Sequence, residues 1–245
     1  MYKRDIYTIG ENTKIAKDVY YMTLFGDTSF ITAPGQFINI ELEGFYLRRP
    51  ISICDWDKEK IDIIYKVVGA GTEKMAQLKA GEKLDVLTGL GNGFTINNET
   101  SAPLVIGGGV GTPPMYNLAK QLIAAGQKPT VILGFTSKDD VFYEEEFKAL
   151  GCEVYVTTND GSYGTKGFVT DVIKNLEGYD YFYTCGPLPM LKAVAMGTEC
   201  SGQLSFEERM GCGFGGCMGC SCKTLTGNKR ICTEGPVLLK EEIIW

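Results

Sequence analysis

A chain of 245 residues with 44% hydrophobic side chains is long enough for two modest cores, or two and an appendage, and has ample material to bury them. Its formal net charge of -6 offers no basic footprint for nucleic acid. Histidine is lacking altogether, which removes the usual general base, the Ser-His and Cys-His nucleophile pairs and zinc sites built on imidazole, while cofactor-borne redox chemistry stays open.

The opening stretch MYKRDIYTIGENTKIAKD has no apolar run that could serve as a signal peptide, and no segment reaches the ~18 apolar residues of a membrane span. A cytoplasmic protein without a membrane partner is expected. In that reducing setting nine cysteines favour metal chemistry over a disulfide framework.

Residues 1–98 read as short β-runs punctuated by glycine and proline. QFINIEL (36–42), YLRRPISI (46–53), IDIIYKVV (61–68) and KLDVLTGL (83–90), with one short helix at 72–78, predict an antiparallel β-barrel. Arg49, Pro50, Ile51 and Ser52 end a strand with a permanent cation beside a hydroxyl, a pairing suited to phosphate, although an Arg48–Arg49 doublet is also a common solvated edge device. Gly69 to Thr72 precedes the helix with Thr72 as N-cap, a turn that suits a pyrophosphate or simple capping.

The polar stretch 97–101 marks a boundary. Residues 99–200 then alternate strand, glycine turn and helix, which predicts a parallel sheet covered on both faces, a nucleotide-binding architecture. The turn Gly107 to Pro114 reads GxGxxP from Gly109 rather than GxGxxG, so an ordinary dinucleotide dehydrogenase is disfavoured while phosphate binding at a helix start remains. Cys185, Gly186 and the following PLPM fall at another carboxyl edge of the sheet, where ligands bind. After the strand PTVILGF, Asp139 and Asp140 disfavour a 2′-phosphate, whereas Ser137 and Lys138 could hold one.

Residues 201–245 are too few for a core and are rich in glycine and cysteine. Cys212, Cys217, Cys220 and a distant Cys232 have the CxxxxCxxC…C spacing of a plant-type [2Fe-2S] loop, with glycines that let the backbone curl around an inorganic core. A structural zinc site would more often show two CxxC knuckles, and here there is one. Cys222 is surplus by spacing and is expected to pack beneath the loop.

RPIS, GGVGTPPM and CGPLPM, in that order, resemble the ferredoxin reductase family, in which a barrel holds FAD and the next domain a pyridine nucleotide. The ending ERMGCGFGGCMGCSCKT with Cys232 and EGPVL is similar to that of the electron-transfer subunits of dihydroorotate dehydrogenase B. The resemblance implies FAD at Arg49, Pro50, Ile51, Ser52, Ile64, Tyr65, Lys66, Gly71 and Thr72, and NAD at Gly109, Gly111, Thr112, Pro114, Cys185 and Gly186. It implies cluster ligands Cys212, Cys217, Cys220 and Cys232. Ile51 stands where relatives often carry an aromatic residue, so Tyr65 is the expected aromatic contact to the flavin. It further implies an FMN-containing, dihydroorotate-oxidising catalytic partner in pyrimidine biosynthesis, with two of each chain in a heterotetramer. The cluster loop would face that partner, with Phe214 and Met218 either at the interface or packed locally. Two other readings stand beside this one: the small subunit of another NAD(P)H:acceptor oxidoreductase, such as a ferredoxin–NADP transhydrogenase or a sulfide dehydrogenase, and a redox-sensing regulatory subunit without turnover.

Overall fold

A computed structural model of the protein describes residues 2–245. Six strands, β1 (Lys3–Ala16), β2 (Val19–Phe25), β3 (Phe37–Ile40), β4 (Arg49–Trp56), β5 (Lys60–Lys66) and β6 (Lys83–Leu90), close into a barrel in the order β1-β2-β5-β4-β3-β6. All its pairings are antiparallel, and closure leaves no sheet edge exposed. Side chains alternate along each strand. Ile38, Ile40, Ile53, Ile61, Ile63, Tyr65 and Val86 fill the interior, leaving Phe37, Asn39, Ser52, Cys54, Ile64 and Leu87 on the outside.

That outer surface carries two separate apolar seams. On one side Val19, Cys54 and Ile64 join a core with Val105, Met115 and Leu118 of the second domain. On the other, Phe37, Leu87 and Leu90 pack against Cys220, Ile231 and Cys232. A polar clamp reinforces the first seam, because Asp55 of β4 accepts from Asn117 at 2.5 Å and pairs with Lys120 at 2.5 Å.

Helix α1 (Ala70–Gln77) joins β5 to β6 and begins two residues before the expected start. Gly69 is its N-cap and Thr72 sits three residues in, its hydroxyl accepting from the Val68 N–H at 2.9 Å. The threonine thus closes the turn from inside, as in a capping box, rather than capping it from outside.

The second domain runs β7 (Leu104–Gly108), α2 (Thr112–Ala124), β8 (Thr130–Phe135), α3 (Glu144–Ala149), β9 (Glu153–Thr158), β10 (Thr165–Lys166), α4 (Val169–Ile173), β11 (Phe182–Cys185), α5 (Leu188–Gly197) and β12 (Gly202–Ser205). Then follow β13 (Ser221–Thr224), β14 (Gly227–Arg230) and β15 (Val237–Leu239). The large sheet has the order β10-β9-β8-β7-β11-β12-β15, and only β15 is antiparallel to its neighbour. The segment 201–245 is therefore not a separate body. It supplies β12, and β15 then covers the edge that β12 would otherwise present; only the β13–β14 hairpin stands apart. Among the described residues no helix is long and apolar enough to cross a membrane.

Two glycines test this packing. A Cβ at Gly111 would overlap the Cys185 carbonyl and lie 2.7 Å from the Gly186 Cα, backbone that cannot step aside, whereas Gly197 faces open space. Gly111→Ala should lower stability by about 1–3 kcal/mol, and Gly197→Ala should leave it unchanged or slightly raised. Chemical denaturation of the two variants measures both.

Candidate functional site

Arg49 opens β4 and lays its guanidinium against the first turn of α1. A Cβ at Gly71 would overlap that guanidinium, so the glycine is what permits the approach. The guanidinium carbon also stands 4.6 Å from the Phe45 ring centroid, and Nη1 donates to the Leu47 carbonyl. A fixed cation beside the free N–H groups of a helix start is the chemistry a pyrophosphate requires. Arg48 is consumed elsewhere, pairing with Glu41 and Asp85.

Alternation sorts the remaining flavin candidates. Pro50, Ser52, Ile64 and Lys66 fall on the barrel's outer face, Ile64 packing into the seam with the second domain and Lys66 pairing with its Asp140, while Ile51 packs on the barrel core. The expectation for Tyr65 is corrected: its ring is buried in the barrel, stacked on Tyr20 at 5.8 Å, with its hydroxyl donating to Asn12 at 2.8 Å. Only its main chain remains available to a ligand on the outer face.

The nucleotide cleft lies where strand order reverses. β7 has β8 on one side and β11 on the other, and Gly107 pairs with Cys185 at their carboxyl ends, the switch point at which such sheets bind ligands. A cavity of about 470 Å³ opens there, bordered by Gly108, Gly109 and Val110 of the turn, Pro187 and Met190 beyond β11, and Lys66 of the barrel. Gly109 has φ +53 with nothing near its missing Cβ, so backbone is presented bare to the cavity. Gly111, Thr112, Pro114, Cys185 and Gly186 do not border the cavity. They build the layer beneath it, Gly111 against the Cys185 carbonyl and Gly186 against Met190. Burial pushes the Cys185 thiol up to about 12, against a hydrogen bond with Ser205 that lowers it, so it stays a neutral thiol.

Thr157 is a lining residue that the sequence reading did not single out. Thr157, at the end of β9, is fully buried and lines the cavity, yet its Oγ1 has no partner among the described residues. Its position at a strand's carboxyl end was the available signal. Asp140 lines the cavity too, held by Lys66 at 3.3 Å and by the Ser137 hydroxyl at 2.9 Å. Ser137 and Lys138 do not border it.

The four predicted cysteines gather as two pairs. Cys212 and Cys217 are hydrogen-bonding neighbours, and so are Cys220 and Cys232; the Cys232 N–H also points at the Cys220 sulfur, 3.4 Å away. Among the described residues no three metal-binding side chains converge as a single ion would need, whereas two pairs of thiols match two irons with two protein ligands each. Burial opposes ionisation of Cys212, but N–H groups of Phe214, Cys217 and Gly216 and the Cys217 side chain outweigh it and bring the thiol down to about 7. The Gly216 N–H is 3.1 Å from that sulfur. Cys232 is pushed up to about 12 by burial and by Cys220, so its thiolate needs metal to form. Cys222 lies on β13 opposite Lys229 and packs partly buried against the seam, outside both pairs.

A flavin-type barrel, a switch-point nucleotide cleft and a paired-thiol loop define an iron–sulfur oxidoreductase of ferredoxin-reductase architecture. Residues 207–244 match the family described as the iron-sulfur cluster binding domain of dihydroorotate dehydrogenase B, and residues 105–196 the oxidoreductase NAD-binding domain. A dihydroorotate dehydrogenase B (NAD(+)) electron transfer subunit from Fusobacterium nucleatum is 47% identical, covering 96% of each chain. One from Shouchella clausii is 43% identical over 99% of this chain and 98% of its own. The solved NADH-dependent reduced ferredoxin-NADP oxidoreductase superposes with a TM-score of 0.89 at 32% identity, covering 98% of this chain and 90% of that one. The chain belongs to the family of dihydroorotate dehydrogenase B electron-transfer subunits. It is accordingly an oxidoreductase subunit working with FAD, a [2Fe-2S] cluster and NAD.

Cys217→Ser should abolish or severely deplete the visible absorbance and bound iron of the cluster, whereas Cys222→Ser should keep most of both; iron analysis beside the spectrum decides. Arg49→Ala should weaken FAD binding about ten- to a hundredfold, since a charge-assisted hydrogen bond is worth about 1.5–3 kcal/mol, as read by titrating FAD into deflavinated protein.

Proposed function

We propose that this subunit carries electrons from the FMN of a dihydroorotate-oxidising catalytic partner, through its cluster and FAD, to NAD. The observation that carries this reading is the barrel's position between its two seams: the cysteine pairs lie against β3 and β6, and the nucleotide domain against the outer face of β4 and β5. FAD supplies the conversion between the single electrons an iron–sulfur centre passes and the hydride that NAD accepts. Oxidation of dihydroorotate to orotate releases two electrons and two protons; NAD takes both electrons and one proton as hydride, and the second proton goes to water. Arg49 and the start of α1 anchor the flavin's pyrophosphate, Pro50, Ser52, Ile64 and Lys66 border its ring, and Gly109 admits the nucleotide phosphates. Cys212, Cys217, Cys220 and Cys232 hold the cluster, and Gly111, Thr112, Pro114, Cys185 and Gly186 shape the floor of the cleft.

Phe214 and Met218, 39% and 57% exposed on the cysteine loop, fit a face covered by the partner, in a cytoplasmic heterotetramer of two of each chain. Phe214 also meets Tyr2 at 5.2 Å between ring centroids, which extends the apolar area. Fold similarity also accommodates a second reading, the small subunit of a ferredoxin–NADP oxidoreductase, against which the higher identity to the dihydroorotate enzymes weighs.

The test is co-purification with an FMN-containing candidate subunit, followed by an assay for NADH formation. Dihydroorotate-dependent NADH formation by the cofactor-loaded complex is expected. A loaded complex that forms none, yet passes electrons from NADH to ferredoxin, would favour the second reading.

A further inference from the structure

Asn39 stands between the strand assigned to the flavin and the cysteine loop. It faces outward from β3, paired with Pro50 of β4, and so lies one strand spacing, about 5 Å, from the strand assigned to the flavin. Its Nδ2 donates to the main-chain carbonyl of the cluster ligand Cys212 at 3.1 Å. Among the described residues this is the one hydrogen bond between loop 211–220 and the barrel. The next residue, Gly213, has φ +78, and a Cβ there would overlap the Asn39 Nδ2. The loop is thus shaped to let the amide in.

The surroundings make this amide anomalous as a stabilising residue. Asn39 is 1% exposed, its Oδ1 has no partner among the described residues, and its neighbours on the seam are Phe37, Leu87 and Leu90. A half-satisfied amide on an apolar face contributes less to stability than an isosteric hydrocarbon. What it adds is direction, because one donor fixes the register of a glycine-rich loop that apolar contact would leave free to slide. Arg230 makes the complementary contact from the far side, Nη1 to the Gly215 carbonyl at 2.8 Å.

We infer that Asn39 is the positioning residue that seats the cysteine loop on the flavin barrel and so sets the separation across which electrons pass between cluster and flavin. This rests on the reading that the barrel holds FAD and the loop the cluster. The residue touches the main chain of a ligand and acts through it.

The experiment compares wild type, Asn39→Leu and Asn39→Asp, both near-isosteric and both lacking the donor, in stopped-flow reduction by NADH with FAD and cluster loaded. Each NADH contributes two electrons as hydride, of which one stays on the flavin and one reaches the cluster. Flavin bleaching should keep its wild-type rate, while reduction of the cluster should slow by about tenfold or more, since misplacing reacting groups by an ångström can cost about a hundredfold. The EPR spectrum of the reduced cluster should broaden or shift in both variants. Loss of the cluster with FAD and melting temperature retained in Asn39→Leu would also support the assignment. Wild-type cluster kinetics and an unchanged EPR spectrum in both variants would overturn it. So would joint loss of flavin, cluster and fold in Asn39→Leu, because the residue would then serve the barrel as a whole. Failure of the wild type itself to pass electrons from NADH to the flavin would instead strike the underlying functional reading.

Discussion

Side-chain alternation around a closed barrel governs where each redox group of this protein can lie. Closure forces every second residue inward, so Ile51 and Tyr65 are committed to the core while Asn39, Ser52 and Ile64 are committed to the outside. A single register slip on β3 would turn Phe37 and Asn39 into the core and expose Ile38 and Ile40. The seam against the cysteine loop would then lose Phe37, and the loop its hydrogen bond from Asn39. The seat of the cysteine loop therefore depends on the pairings of β3 with β4 and with β6, and the nucleotide-domain seam on the register of β2, β4 and β5.

Glycine acts on that frame where main chain must come close to something. Gly71 admits the Arg49 guanidinium, Gly111 the carbonyl of Cys185, and Gly213 the amide of Asn39. Each marks one of the three sites, and each functions by the absence of a side chain. The polar groups that face these approaches are a cation, a main-chain carbonyl and an amide donor. With no histidine in the chain, the protein's share of the chemistry is placement and electrostatics. The cysteine loop shows this within a few residues, since Cys212 is ringed by N–H donors that favour its thiolate while Cys232 is sealed in the apolar seam.

Much of the fold was legible in the residues because its signals are local. The β-runs at 36–42, 61–68 and 83–90 are short, apolar-rich and punctuated by glycine and proline, and the switch to strand, glycine turn and helix after residue 101 announces the parallel sheet. Short strands were harder. β12 and β15 hold four and three residues and become strands only because neighbouring edges need partners, so the boundary drawn near residue 200 falls beside a sheet that continues past it. The start of α1 was misplaced for a similar reason: the Thr72 hydroxyl works from inside the first turn, which spacing alone does not distinguish from a cap.

The sequence by itself determined the chemistry: four thiols at cluster spacing, a cation beside a strand end, glycine turns at helix starts and no histidine. These follow from residue type and from distances of a few positions along the chain, which local geometry preserves. Only the tertiary structure decided which candidates reach a ligand. Tyr65 was drawn into the barrel, Cys185 and Gly111 went beneath the cleft, and Thr157 and Asp140 came to line it. It also brought Asn39 to Cys212 across 173 positions, because inside and outside, and contact between distant strands, exist only once the barrel has closed.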